Sequence, residues 1–330
     1  MLLRPGALAL LAISLVGALL LASALPHALR ILRRWNPADP GEGQVALERG
    51  TWLFPPLVAL AVSLQVLGLP ILVQDADRAA ELLPGAMCAV GTFRAGPLGF
   101  PALLAHLGLV LLGLAWLALH RVDVGTPGGP LARVLAAGLL GLAPLQGVVL
   151  GLQAAFYAGL EPGGLTSCCQ ALFDPGAAGL PGELAAWSPR LALPVAGTAL
   201  ALAAISAFAG LRAERLRPLA ALAGLGASAA GAAALVSVLG PYVYELPGHH
   251  CPFCLLRPEH GRVGWLLHPA LLAGAAASLA QLALVPLRGG DLAPAKAAVG
   301  RCLAWTAGIA FLLFLLVSLV LIGRSRLILL

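Results

Sequence analysis

The chain has 330 residues, of which 60% are hydrophobic and 10% charged, and its mean hydropathy is +0.95. Soluble domains carry about 25% charged residues, so this chain lacks the polar groups to cover a water-facing surface and its main contact must be membrane lipid. The formal charge of +6 does not point to nucleic acid, because the basic residues (all arginine except Lys296) are scattered between apolar blocks without aromatic interleaving.

A hydrocarbon core about 30 Å thick takes roughly 20 apolar residues per helix. Eight blocks qualify, at approximately 6–29, 51–73, 101–120, 133–158, 190–210, 219–241, 264–286 and 302–323. In lipid the backbone must satisfy its own hydrogen bonds, so each block is expected to be a helix. The fold class is therefore all-α: a polytopic helical bundle with about eight transmembrane helices, forming a single transmembrane domain over 1–330. The first block ends in "LLLASALPHA", which resembles a signal-peptide cleavage region, but the following "RILRRW" reads as a stop-transfer flank. It is taken as a retained helix. "GLGASAAGAAA" in the sixth block reads as close helix packing by small residues.

Basic residues orient the bundle. The connections 30–50, 121–133, 211–218 and 287–301 carry twelve of them, against five in 74–100, 159–190 and 242–263. Arg4, Arg324 and Arg326 at the chain ends add to the poorer side without reversing the bias. The richer set is expected in the cytoplasm, with both termini outside. The composition, rich in Arg, Ala, Leu and Gly, fits a GC-rich genome, and the expected location is a bacterial inner membrane.

Five of the six cysteines then fall in the three outer loops: Cys88 in 74–100, Cys168 and Cys169 in 159–190, and Cys251 and Cys254 in 242–263. Cys302 lies near the inner end of the last helix. Thiols facing an oxidising periplasm pair, bind metal or exchange. Cys88, Cys168 and Cys251 recur at similar spacing, and Cys88–Phe93 and Cys168–Phe173 share a Cys-x4-Phe pattern. Together these suggest three decayed repeats of a helical hairpin.

The stretch "GHHCPFCLLRPEH" supports two chemistries. Cys251-x-x-Cys254 can close a small disulfide, and His249, His250 and Arg257 supply positive charge that favours an attacking thiolate. That is the reading of a thiol–disulfide exchange site serving a periplasmic thioredoxin-like protein, with Cys88, Cys168 and Cys169 relaying the disulfide. Alternatively, His249, His250, Cys251, Cys254 and His260 offer borderline-to-soft donors for copper or zinc, and the Cys168–Cys169 loop could complete a four-ligand zinc site. A structural role, with disulfides stapling the outer rim, is the third reading.

Polar residues inside a bilayer are costly and often functional. Gln65, His106, Gln153 and His268, with Gln146 and Tyr157 on the face of Gln153, could hold a quinone head group, and several of them are expected in the outward half of the bundle, close to the cysteine loops. Helix–helix hydrogen bonding by the glutamines is the competing expectation. His106 with His268, and His120 with His27, could also be drawn as axial pairs of two b-type haems, a minor alternative. Outer-face cysteines above a helical bundle resemble, in principle only, the DsbB and vitamin K epoxide reductase enzymes, which pass electrons between protein thiols and quinones. That resemblance carries over no residues. The function expected is thiol–disulfide redox chemistry coupled to a membrane quinone, with the metal-binding and structural readings as alternatives.

Overall fold

The structure is a computed structural model that describes residues 1–36, 41–167 and 169–329; of Cys169 only the backbone is described. Among these residues all regular structure is helical. In chain order the helices are α1 (Pro5–Arg34), α2 (Glu42–Thr51), α3 (Phe54–Ala79), α4 (Ala89–Arg94), α5 (Gly99–Val124), α6 (Ala132–Gly159), α7 (Leu180–Ala185), α8 (Pro189–Arg212), α9 (Arg217–Ala234), α10 (Gly240–Tyr244), α11 (Gly264–Leu284) and α12 (Ala293–Arg324). Eight helical stretches are long and apolar enough to cross a membrane, one for each block expected from the sequence. The chain is thus a polytopic helical membrane protein.

Hydropathy placed several helix ends short. The third block was expected at 101–120 and α5 runs Gly99–Val124; the last was expected from 302 and α12 begins at Ala293. Backbone hydrogen bonding continues past the hydrocarbon edge into the polar interface, where apolar composition no longer reports it. The short helices α2, α4, α7 and α10 lie at or near the ends of blocks that hydropathy alone resolves only as helix or connection.

The chain divides into two compact units. Unit one comprises Met1–Asp75, Phe93–Gly164 and Pro286–Val299; unit two comprises Ala76–Thr92, Leu165–Val285 and Gly300–Leu330. In unit one, α6 packs against α1 and α5. Gly17 leaves room for the Gln65 and Gln146 amides, and Gly68 lies against the His106 ring, so α3 fits closely to its neighbours. In unit two, α9 packs against α8 and α11. The small residues of α9 make this approach close, as expected: Gly224 abuts Ser278 and Phe311, and Gly231 abuts Leu271. α9 leads into a π-helical turn, Leu235–Leu239, and then into α10.

Candidate functional site

Cys88, Cys251 and Cys254 converge in unit two. Their sulfurs all lie within 4.8 Å of one another, and the Cys88 and Cys251 sulfurs are 3.6 Å apart. The three residues are 0%, 0% and 2% exposed. A disulfide needs a separation near 2.05 Å, and among the described residues no two sulfurs are that close. Cys302 is exposed on α12 and is not a member of the group.

Local structure explains the convergence. Cys88 precedes α4, and its carbonyl accepts from the Gly91 N–H. The Ala89 N–H donates to the Asp77 carboxylate (3.1 Å), which ties the start of α4 to the end of α3. On the other side, the π-turn lets the Val236 carbonyl meet the His250 ring, whose Nδ1–H donates to it (3.0 Å). The Tyr244 hydroxyl, from the end of α10, donates to the Cys251 carbonyl (2.5 Å). Cys254 opens a 3-10 turn, Cys254–Leu256. Arg257 joins the two cysteine loops: its guanidinium donates to the Met87 carbonyl (3.0 Å) and pairs with Asp77 (3.6 Å) and Glu259 (3.3 Å). The Glu259 contact holds the guanidinium charged and keeps the Glu259 carboxyl below the usual carboxylate range. Cys254 lies near enough for its charge to interact with this guanidinium.

The three histidines of the 249–260 stretch do not join the thiols: no imidazole nitrogen belongs to the sulfur group. His250 is turned toward Val236. His249 and His260 flank Tyr244, with ring centroids 4.4 and 4.3 Å from it and 6.5 Å from each other. Burial, followed by the neighbouring His249, pushes the His260 imidazole below its ordinary value. Cys168 lies outside the described residues, as does the side chain of Cys169. The chain on either side of them is placed in unit two. The Thr166 N–H donates to the Pro84 carbonyl (3.1 Å) and the Thr166 hydroxyl to the Gly91 carbonyl (3.0 Å), so it is stapled to the loop that carries Cys88. Gln170 reaches Gly248, ahead of Cys251.

The intramembrane polar residues of unit one form a second cluster. The His106 Nε2–H donates to the Gln65 carbonyl (2.9 Å). A carbonyl only accepts, so this nitrogen carries the hydrogen and His106 Nδ1 accepts from the Gln153 amide (3.0 Å). The Ser14 hydroxyl donates to Gln153 Oε1 (2.6 Å), and the Gln146 amide donates to the Ser14 carbonyl (2.9 Å). Both ring nitrogens of His106 are therefore engaged within the protein. The side-chain amide of Gln65 is 1% exposed, and neither of its polar atoms has a hydrogen-bond partner. His268 belongs to unit two, where its Nδ1–H donates to the Gly264 carbonyl (2.9 Å). His120 stacks on Trp116, with ring centroids 5.5 Å apart, and His27 lies beside Gly50.

Sequence reasoning passed over Asp77, Tyr244 and Ser14. Asp77 and Arg257 are opposite charges in loops that both carry cysteine, which is a usable signal. Tyr244 and Ser14 leave none, because the π-turn and the α1–α6 register set their roles. Known proteins offer no guide: the chain matches no protein-family model, no curated protein and no solved structure.

Proposed function

We propose that the protein is a multi-pass membrane protein that binds a thiophilic closed-shell metal ion, Cu(I) or Zn(II), through the thiolates of Cys88, Cys251 and Cys254. The observation that carries this reading is the buried group of three sulfurs from two loops. With metal–sulfur bonds near 2.3 Å, tetrahedral coordination separates sulfurs by about 3.8 Å, close to the 3.6 Å between Cys88 and Cys251. Thiolates select Cu(I) and zinc among the common ions. Burial favours a bound ion over attack on a folded protein partner, since exchange requires an accessible sulfur. The count of basic residues supports a bacterial inner membrane with this site on the periplasmic side.

Metal analysis of protein purified without oxygen tests the reading. About one ion per chain is expected. It should be lost in Cys88→Ser, Cys251→Ser and Cys254→Ser, and kept in Cys302→Ser. Absence of metal, or metal that survives all three cysteine changes, would overturn it. Cys168→Ser and Cys169→Ser separate the two ions. A closed zinc site needs a fourth ligand, so loss in either variant with zinc co-purifying marks that residue as the ligand. Retention in both with copper co-purifying marks a three-thiolate site.

The 3.6 Å approach of Cys88 to Cys251 also favours a second reading. A small closing motion would join them, in keeping with thiol–disulfide exchange with a thioredoxin-like partner. The unpartnered Gln65 amide supports a membrane quinone as the electron carrier in that scheme. Thiol trapping in cells that shows Cys88–Cys251 cycling between states, with quinone extractable from metal-free protein, would favour it over the metal site.

A further inference from the structure

Three buried thiols hold an ion well but receive one poorly, because an aqueous cation must shed water before it reaches them. The surroundings of Tyr244 address that step. His249 and His260 are half-buried at the edge of the same loop, whereas the sulfurs are closed off. His249 Nε2 is buried and has no hydrogen-bond partner. The two imidazole centroids are 6.5 Å apart. An ion bonded to both rings at 2.0–2.1 Å would sit about 3.2 Å from each ring centre, so an in-line arrangement spans roughly 6.4 Å. The Tyr244 ring touches both imidazoles, so an ion between them falls within the ~6 Å reach of a cation–π contact. Tyr244 in turn holds the Cys251 carbonyl through its hydroxyl, and His249 is two residues from Cys251.

We propose that His249 and His260, with Tyr244 beside them, form a loading site that takes a thiophilic metal cation from water and passes it to the three thiols. This rests on the metal-binding reading above. Imidazole is borderline in softness and thiolate is soft, so transfer runs from nitrogen to sulfur. In the transfer two metal–nitrogen bonds break and metal–sulfur bonds form. Each thiol releases one proton to solvent, the imidazoles are left neutral, and the ion keeps its oxidation state. His250 is not part of the path, because its residue is buried and its Nδ1 is bonded to the Val236 carbonyl.

The test uses Cd(II) alone as the probe, because thiolate coordination gives it an ultraviolet charge-transfer band that imidazole coordination does not. Full-length protein in detergent, stripped of metal and reduced, is mixed rapidly with Cd(II), and the rise of the band is followed. His249→Ala/His260→Ala is expected to reach the wild-type amplitude roughly tenfold more slowly. His260→Ala alone should slow the rise by a smaller factor. Unchanged amplitude shows that the thiol site is folded in the variants. Equal rates in wild type and double variant would overturn the loading site and leave the thiolate site standing. A band that is absent from wild type, or that persists in Cys88→Ser, Cys251→Ser and Cys254→Ser, would overturn the thiolate site itself.

Discussion

Arg257 makes the contacts most sensitive to a single change near the thiols. It bonds to the Met87 carbonyl beside Cys88 while standing in the loop of Cys254. Arg257→Met keeps much of the apolar stem and removes the donors to Met87, Asp77 and Glu259. With Cys88 and Cys254 no longer tied together, metal affinity is expected to fall roughly tenfold. Competition against a chelator of known affinity checks this, and an unchanged affinity would show that the loops hold each other without the guanidinium. Arg257 was legible in the sequence only as a positive charge near a Cys-x-x-Cys pair. Its hydrogen bond to a main-chain carbonyl 170 positions earlier was not, because nothing local in either segment encodes the other. Cys88 is the reverse case: its thiol and its place in a connection between helices were readable, and its distance to Cys251 needed the fold.

At the scale of elements, the π-turn Leu235–Leu239 carries the site's geometry. Its wide turn presents the Val236 carbonyl to His250 and sets the direction of α10, which brings Tyr244 to Cys251. Deleting Ser237 would let α9 continue as regular helix and rotate everything after it by about 100°. Membrane insertion and helix content by circular dichroism should be unchanged, while bound metal should fall well below one ion per chain. Retained metal would mean that the 249–254 loop finds its place independently of α10. No sequence pattern marked this turn, since hydropathy is indifferent to one extra residue per turn. In unit one, the hydrogen-bond path from Ser14 through Gln153 to His106 and Gln65 couples four helices. Here the polar residues were legible and their seven-residue spacing on α6 put them on one face, but Ser14 could not be matched to them without the packing. Gln153→Leu leaves His106 Nδ1 and the Ser14 hydroxyl without this partner. Intramembrane hydrogen bonds average about 0.6 kcal/mol and reach about 1.7 kcal/mol, so a loss of about 1–2 kcal/mol is expected. Thermal or denaturant unfolding in a fixed detergent measures it, and an unchanged midpoint would mean that water replaces both bonds.

For the molecule as a whole, eight membrane-crossing helices follow from composition and length alone, because lipid leaves the backbone little choice. Orientation is a different kind of statement: it depends on the asymmetry of positive charge, which acts during insertion and leaves no mark on the packed bundle. It can be tested with single reporter cysteines. In a background with Cys168, Cys169 and Cys302 replaced, Arg215→Cys, in the arginine-rich connection after α8, should react with a membrane-impermeant thiol reagent only after the cells are opened. Arg190→Cys, at the start of α8, should react in intact cells. The native thiols supply an internal control. Cys88, Cys251 and Cys254 are closed to solvent, so they should react from outside only once metal has been removed and the loop loosened. If Arg215→Cys reacts in intact cells and Arg190→Cys does not, the bundle is inverted. The cysteine site would then face a reducing cytoplasm, where a disulfide relay loses its oxidant while a thiolate metal site keeps its ligands. The same experiment therefore fixes the side of the membrane and, if the bundle proves inverted, decides between the two chemistries.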